Sequence, residues 1–251
     1  VGEDGTSATC LQKNIIAETL PNCRRVIQAK NVGRANIRNI LATEAQYNNI
    51  LFIDSDAVVE HDNFLANYID APKKHDVVCG GLYHAKILAD KRCSLRFKYE
   101  KKADKRRSAE QRNLNPYNEF STFNFAIKRE LFMSLLFNPE IKQYGHEDTL
   151  FGWNLKQKSI EVKHIDNPLI HTGLEKTDIF LSKTAESVRN IKLISDKLND
   201  INFDKDVSLL RCFRQIEKYR IKQIVKLLLN LLNPILLKNL KSDKPNIRCF
   251  D

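Results

Sequence analysis

Residues 48–64 read NNILFIDSDAVVEHDNF, an apolar run that ends in two aspartates separated by one serine. A compact apolar segment with polar ends is typical of a buried strand in a parallel sheet. Asp54 and Asp56 therefore stand where the strand ends, although two like charges so close together repel each other. One interpretation is a turn, because Asp and Ser side chains readily bond their own backbone. The other is a cation site, most simply a metal ion that carries phosphates.

Strand and helix patterns alternate on both sides of this segment. Residues 24–30 (RRVIQAK) predict a strand. Residues 31–46 (NVGRANIRNILATEAQ) turn at Gly33 and continue as a helix, before the strand that ends at Asp56. We expect an α/β fold with a mixed, mainly parallel sheet flanked by helices, which binds ligands at the carboxyl ends of its strands. A further strand is expected in residues 75–84, a strand followed by a helix in 120–137, and a strand pair in 160–173. Residues 141–159 predict a loop and then a helix that begins near Glu147.

The composition is that of a folded, basic protein. Of the 251 residues, 42% are hydrophobic and 29% are charged, which is ordinary for a globular domain and argues against disorder. The formal net charge of +10 is concentrated in residues 91–112 and in the C-terminal segment from Arg211 onward. A basic excess is typical of proteins that meet nucleic acid, an anionic membrane surface or a phosphorylated substrate.

The sequence also bears on the redox environment of the protein, on whether it spans a membrane and on whether it binds nucleic acid. Six cysteines lie far apart with no CxxC pair, which favours reduced thiols in a cytosolic protein over a disulfide framework or a zinc cluster. No apolar run reaches the about 18 residues of a transmembrane helix. Aromatic residues are sparse in residues 91–112, which argues against a stacking platform for single strands. We therefore expect no nucleic-acid partner.

Glu147, Asp148 and His171 are the other candidate site residues. Each has an ordinary explanation by itself. Acidic residues are favoured in the first turn of a helix by the helix dipole, and a single histidine after a strand usually belongs to the core. Their order along the chain, after Asp54 and Asp56, asks for a common explanation.

Six motifs together resemble those of a family 2 glycosyltransferase, over about residues 1–175. The quoted motifs are EDGTS (3–7), NVGRANIRN (31–39), LFIDSD (51–56), FSTFNFAIKRELF (120–132), GHEDTLFGWNL (145–155) and HTG (171–173). The resemblance implies the GT-A fold, a nucleotide-binding α/β domain that transfers a sugar from a nucleotide donor with inversion. The family's usual first strand has no counterpart here, so we expect it upstream of Val1.

The resemblance also implies roles for individual residues. Asp56 and His171 would bind a divalent cation, Mn²⁺ or Mg²⁺, because oxygen-rich sites favour these ions over zinc. Asp148 would be the general base that deprotonates the acceptor hydroxyl, with Glu147 and His146 binding the acceptor. The nucleotide sugar would be bound by Asp4, Gly33, Arg34, Arg38, Asp54 and Ser55.

Asp56 and Asp148 match the chemistry of sugar transfer. A hard cation held by carboxylates neutralises the departing diphosphate, and a positioned carboxylate removes the acceptor proton. We expect a UDP-sugar as donor and a saccharide or lipid-linked acceptor, in cell-surface polysaccharide assembly. A nucleotidyltransferase would share the metal carboxylates but gives GHEDTLFGWNL no role. A non-catalytic basic module for membranes or nucleic acid would leave the acidic residues unexplained.

We expect two parts in the chain: a catalytic domain in residues 1–175 and a helical extension in residues 176–251. Within the first, the donor part spans about 1–85 and the acceptor part about 113–175. Residues 205–251 alternate apolar and basic positions, which suits either packing on the domain or contact with a membrane surface. We expect a cytoplasmic protein, peripheral on the inner face of the membrane if the second reading holds.

Overall fold

The computed structural model describes residues 1–141 and 144–250, apart from the side chains of residues 72 and 73. Two positions of the predicted loop before Glu147, residues 142 and 143, therefore lie outside the described residues. The strands are β1 (Gly2–Asp4), β2 (Val26–Gln28), β3 (Asn49–Ile53), β4 (Ala57–Val58), β5 (Val77–Cys79), β6 (Leu82–His84), β7 (Asn124–Lys128), β8 (Val162–His164) and β9 (Leu169–His171).

Eleven α-helices accompany these strands in the described residues. They are α1 (Ala8–Lys13), α2 (Arg34–Glu44), α3 (Phe64–Lys74), α4 (Ser94–Ala103), α5 (Ala109–Asn113), α6 (Arg129–Leu135), α7 (Glu147–Gln157), α8 (Thr177–Leu198), α9 (Ile201–Asp206), α10 (Ser208–Lys218) and α11 (Lys222–Leu240). Short 3₁₀ helices cover Asn14–Thr19, Lys91–Cys93, Asp104–Arg106 and Ile247–Cys249.

The strands form three sheets, which confirms the mixed α/β class. β1 and β2 pair in parallel, the central sheet has the order β3-β7-β5-β8, and a third sheet has the order β4-β9-β6. Three strand pairs are parallel and three are antiparallel among the described strands, so the sheets are more evenly mixed than we expected. The apolar pattern of β3 indicates burial on both faces, which says nothing about the direction of its neighbour, the antiparallel β7.

Aromatic packing covers one face of the central sheet. Phe52 of β3 stacks on Phe125 of β7 with ring centroids 4.9 Å apart. Phe151 of α7 packs between Phe137 and Phe120, with centroids at 4.5 and 5.3 Å. Because α7 is anchored to the same core as β3, the start of the helix and the end of the strand are held close to each other.

Two glycines explain why the stretch 75–84 forms two strands in different sheets. At Gly80 an added Cβ would overlap Tyr68, Asn124 and the carbonyl of Asn167. Gly81 has φ +86, a conformation that L side chains rarely adopt. The backbone therefore passes close to these groups, and the chain turns there from β5 to β6.

The C-terminal helices share a core with the sheet-bearing part. Ile191 and Ile194 of α8 pack with Leu150 and Trp153 of α7. The chain end returns to α8, where Phe250 stacks on the ring of Phe180 at 5.1 Å. In the described residues, no helix is long and apolar enough to cross a membrane. The division of the chain at residue 175 stays a prediction.

Candidate active site

A cavity of about 370 Å³ opens where β3 ends and α7 begins. The sheet edge, α4 and the segment after β9 complete its walls. Seven of the predicted site residues line it: Arg34, Asp54, Asp56, His146, Glu147, Asp148 and His171. The structure thus brings together the carboxylates that the sequence placed more than ninety residues apart.

Arg38 joins the two acidic motifs from behind the cavity wall. Its guanidinium lies 2.7 Å from Oδ1 of Asp54 and 3.5 Å from Oε1 of Glu147. Arg38 and Glu147 are buried, so this is a low-dielectric network in which each charge needs its partner. Arg34, one helical turn earlier on α2, lies 3.9 Å from Glu147 and is exposed. The positive charge of Arg38 therefore offsets the charge of Asp54, which weakens the repulsion between Asp54 and Asp56.

Asp56 belongs to a second network, with His171 and Glu100. Nε2 of His171 lies 3.2 Å from Oδ2 of Asp56, and Nδ1 lies 2.8 and 3.0 Å from the two oxygens of Glu100. The hydrogen bond from His171 lowers the pKa of Asp56, although burial acts in the opposite direction. Burial tends to lower the pKa of His171, but its two carboxylate partners outweigh this and raise the pKa to about 9.

Residues after β9 hold the Asp56 backbone and leave room for its carboxylate. The amide and the hydroxyl of Thr172 both donate to the carbonyl of Asp56, at 2.9 and 2.8 Å. Gly173 follows, and an added Cβ at Gly173 would overlap Oδ2 of Asp56. The HTG motif therefore shapes the position of the aspartate as well as supplying the histidine.

The start of α7 presents Asp148 to the cavity. Gly145 and His146 both have positive φ, +90 and +69, and this turn directs the chain into the helix. Oδ1 of Asp148 accepts a hydrogen bond from the amide of Thr149 at 2.8 Å. Burial, together with the charge of Glu147, raises the pKa of Asp148 to about 6. A carboxylate poised near neutral pH is suited to accept a proton.

Asp4 and Gly33 lie outside this cavity. The carboxylate of Asp4 accepts from the amides of Val32 at 2.6 Å and Gly33 at 3.0 Å, so it shapes the turn before α2. Gly33 has φ +89 and lines a neighbouring hollow of about 310 Å³ with Asn31 and Asn36. Ser55 is exposed at the end of β3. The nucleotide contacts of these residues stay predictions.

Several residues that line the cavity were missed by sequence reasoning. Arg96, Glu100 and Arg107 come from the basic stretch 91–112, and Tyr144 and Glu175 come from loops. Glu100 had a signal: it is an acid inside KYEKK, four residues after Arg96, which is the spacing of a helical ion pair. Tyr144, whose ring lies 4.8 Å from the guanidinium of Arg34, had none.

Asp56 and His171 are suited to hold a divalent cation in company with a phosphate ligand. Their facing atoms, Oδ2 and Nε2, are 3.2 Å apart, and Gly173 leaves the carboxylate side open. Among the described residues, no group of three or more His, Cys, Asp or Glu side chains is arranged to hold a metal by itself. Mg²⁺-type sites commonly use one or two protein ligands plus substrate phosphates, so two ligands fit this chemistry.

Solved structures share this fold. A mannosyltransferase, PcManGT from Pyrobaculum calidifontis, solved with GDP-Man and Mn²⁺, has a TM-score of 0.53 at 17% identity, covering 80% of this chain and 54% of that chain. S. aureus TarS 1–349 in complex with UDP has a TM-score of 0.50 at 16% identity, covering 84% of this chain and 60% of that chain. The chain thus spans little more than half the length of these proteins, and at these identities the similarity shows the fold.

The family is shown by sequence. A comparison with curated proteins found no match. The model of glycosyl transferase family 2 matches residues 4–136, which is more than half of the chain and includes β3 with Asp54 and Asp56. The chain therefore belongs to glycosyl transferase family 2.

Proposed function

We propose that this protein transfers a sugar from a nucleotide-sugar donor to a hydroxyl of a saccharide or lipid-linked acceptor, with inversion at the anomeric carbon. The observation that carries the proposal is the single cavity lined by Asp54, Asp56 and Asp148. We take a UDP-sugar as the donor and cell-surface polysaccharide assembly as the setting.

On the donor side, the chain supplies two ligands and a cationic wall. A divalent cation held by Asp56 and His171 would neutralise charge on the diphosphate as it leaves. Arg34 is exposed at the cavity, where its guanidinium is suited to bind a phosphate oxygen. Arg38 keeps Asp54 in place with a contact of 2.7 Å, so Asp54 can accept from the donor without moving.

On the acceptor side, Asp148 would take the proton of the attacking hydroxyl. Its raised pKa, about 6, lets the carboxylate form dominate at neutral pH while it remains a useful base. Glu147 lies buried against Arg38, and we propose that it orients the start of α7 and touches the acceptor only at the cavity edge. His146 lines the cavity beside it. One base and no second carboxylate nucleophile in this assignment correspond to direct displacement with inversion.

The donor site is tested by thermal shift with UDP, GDP and dTDP, each with and without Mn²⁺. We expect one nucleotide to raise the Tm only when Mn²⁺ is present, because a ligand that binds the native state stabilises it. Asp56→Ala should abolish the shift. Asp62→Ala, which removes an exposed aspartate from the same segment, is the matched control and should keep it. No shift with any nucleotide, or a shift that survives Asp56→Ala, would contradict the proposed site.

Helix α11 supports the proposed contact with a membrane surface. The helix contacts the rest of the protein near its ends, through residues such as Leu240, while Leu228, Leu231 and Leu232 between them are exposed. A helix that is apolar over much of its circumference is ordinarily covered by something. Since α11 carries lysines and no acidic residue, we propose an anionic lipid surface as its partner. Residues 205–250 then supply both packing and a docking surface.

Vesicle flotation tests this contact. We expect binding to vesicles that contain phosphatidylglycerol and weaker binding to pure phosphatidylcholine. The double variant Leu228→Ser, Leu232→Ser should bind about tenfold more weakly, since partial insertion recovers only a fraction of the about 1.5–3 kcal/mol that each leucine contributes at full burial. Leu65→Ser in α3, 63% exposed, is the control. Equal binding by the double variant would contradict the proposal. Self-association that the variant abolishes would instead assign the helix to a second copy of the chain.

A further inference from the structure

Glu100 is a carboxylate in the cavity wall that the proposed chemistry does not yet use. It belongs to α4, in the basic stretch between the donor and acceptor parts, and its side chain is only 1% exposed. Both of its oxygens lie within 3.0 Å of Nδ1 of His171. Arg96, one helical turn earlier, donates from Nε to Oε1 at 2.5 Å. The four side chains therefore form one chain of contacts, from Arg96 to Glu100, His171 and Asp56.

This arrangement fixes the histidine ring. An acceptor at Nδ1 keeps the proton on that nitrogen, which leaves Nε2 with a lone pair for a metal ion when the ring is neutral. Phe123 packs edge-to-face on the His171 ring with centroids 5.4 Å apart, so the ring is held from its face as well as from its nitrogen. Nε2 points to Asp56 as a result.

Arg96 keeps the carboxylate in place. A buried charge is costly unless it is paired and hydrogen-bonded, and Glu100 is paired with both Arg96 and His171. The guanidinium of Arg96 in turn lies 4.9 Å from the ring of Phe180 in α8. The C-terminal helices thus support the cavity through Arg96, since α8 holds the residue that holds Glu100.

We propose that Glu100, held by Arg96, is a positioning residue that orients His171 so that its Nε2 and the Asp56 carboxylate bind one divalent cation. The inference rests on the proposed function, because it assumes that Asp56 and His171 are the metal ligands. Glu100 itself touches neither metal nor sugar in this assignment. In this assignment the basic stretch 91–112 contributes to the metal site through Glu100.

The test is a titration of Mn²⁺ in the presence of saturating UDP, with free Mn²⁺ measured by electron paramagnetic resonance against a protein-free blank. Glu100→Gln keeps the size of the side chain and removes its charge. We expect the Kd for Mn²⁺ to rise by about 10-fold to 100-fold, as for other partners of metal-binding histidines. Asp204→Asn is the matched control, because Asp204 is also buried and paired with an arginine, Arg214 at 2.6 Å, but lies in α9.

The outcomes separate this inference from the proposed function. Wild-type protein that binds no Mn²⁺ with UDP removes the metal site and the inference together. Tight binding in the wild type with an unchanged Kd in Glu100→Gln overturns the inference alone. If Glu100→Gln does not fold, Arg96→Gln tests the same chain of contacts from its outer end. A rise in Kd there, with Asp204→Asn unchanged, supports it, and an unchanged Kd for Arg96→Gln overturns it.

Discussion

The cavity and helix α11 depart from the usual distribution of side chains in opposite directions. The cavity wall buries the charges of Glu100 and Glu147, and Arg38 is buried behind it. Helix α11 exposes leucines, and Leu231 in its middle is 65% exposed. Neither arrangement stabilises the folded state by itself. Burying a charge costs free energy unless the charge is paired, and apolar surface contributes to stability only when it is removed from water.

The two regions differ in whether other parts of the protein offset this unfavourable free energy. At the cavity the buried charges of Arg38 and Glu100 are paired within the protein, with Asp54 and His171, so these contacts exist before any ligand arrives. The exposed leucines in the middle of α11, such as Leu231, have no such cover in the described residues. We infer that the cavity is built for ligands that fit into an organised charge network, whereas α11 is organised by what it binds.

The largest effect should come from the proposed base. Asp148→Asn should lower kcat by about 10²–10⁴-fold, the usual contribution of a general base. The same variant should raise the Tm above pH 6, by about 2–4 °C if the gain is about 1 kcal/mol. The reason is that the pKa of Asp148 is raised on folding, so its ionisation opposes the folded state. Calorimetry and a transfer assay measure both.

Glu147→Gln provides the contrast for that variant. Glu147 is paired with Arg38, so removing its charge should lower the Tm where Asp148→Asn raises it. A lower Tm for Asp148→Asn at pH 8 would contradict the argument that its charge is held at a cost. Equal losses of kcat in the two variants would argue that the whole start of α7, and not one carboxylate, is required.

Gly173→Ala should act on the metal side. The new Cβ would overlap Oδ2 of Asp56, so the carboxylate must move, and we expect the Kd for Mn²⁺ in the presence of UDP to rise about tenfold or more. Gly152→Ala is the control, because its Cβ would overlap the carbonyl of Tyr117 in the core, outside the cavity. It should lower the Tm and leave the Kd unchanged. The reverse pattern would remove Gly173 from the metal site.

The sequence predicted the cavity residues that lie in short motifs better than those that α4 contributes to its wall. Asp54, Asp56, Asp148 and His171 were predicted because short motifs carry them, and the structure places all four at one cavity. Glu100 was not, because its function depends on α4 packing beside β9, a contact between residues 71 positions apart. A pattern of neighbouring residues does not predict a contact between residues so far apart in the sequence.

The fold shows the same limit. The strands of residues 49–53 and 124–128 follow from their apolar runs, and their antiparallel pairing does not. A run of basic residues such as 91–112 is typical of a solvated surface, yet Leu95 and Glu100 within it are buried. The charge pattern described its outer side only. For α11 the alternation of apolar and basic residues predicted a helix, while its exposure depends on what the neighbouring helices leave uncovered.

The pH dependence of catalysis should follow the ionisation of Asp148, whose pKa is raised in the cavity. A base with a pKa of about 6 must be deprotonated, so kcat/KM should fall tenfold per pH unit below about 6 and level off above it. An ordinary aspartate would give the same fall only below about pH 4. Measurement of kcat/KM from pH 4.5 to 8, with Tm followed in parallel, separates titration from unfolding. A profile flat down to pH 5 would contradict Asp148 as a buried base.

The smallest expected effect lies on α11. Lys226 and Lys238 stand on the helix that carries no acid, and each lysine near an anionic surface contributes about 1 kcal/mol, or about fivefold in affinity. Lys226→Gln and Lys238→Gln should each weaken binding to phosphatidylglycerol vesicles by that factor and leave phosphatidylcholine binding unchanged. Lys158→Gln, an exposed lysine after α7, is the control. Because salt screens such attraction, the difference should shrink as ionic strength rises. Equal losses on both kinds of vesicle would mean that α11 binds through its leucines alone, and the charge complementarity on which the choice of partner rests would be lost.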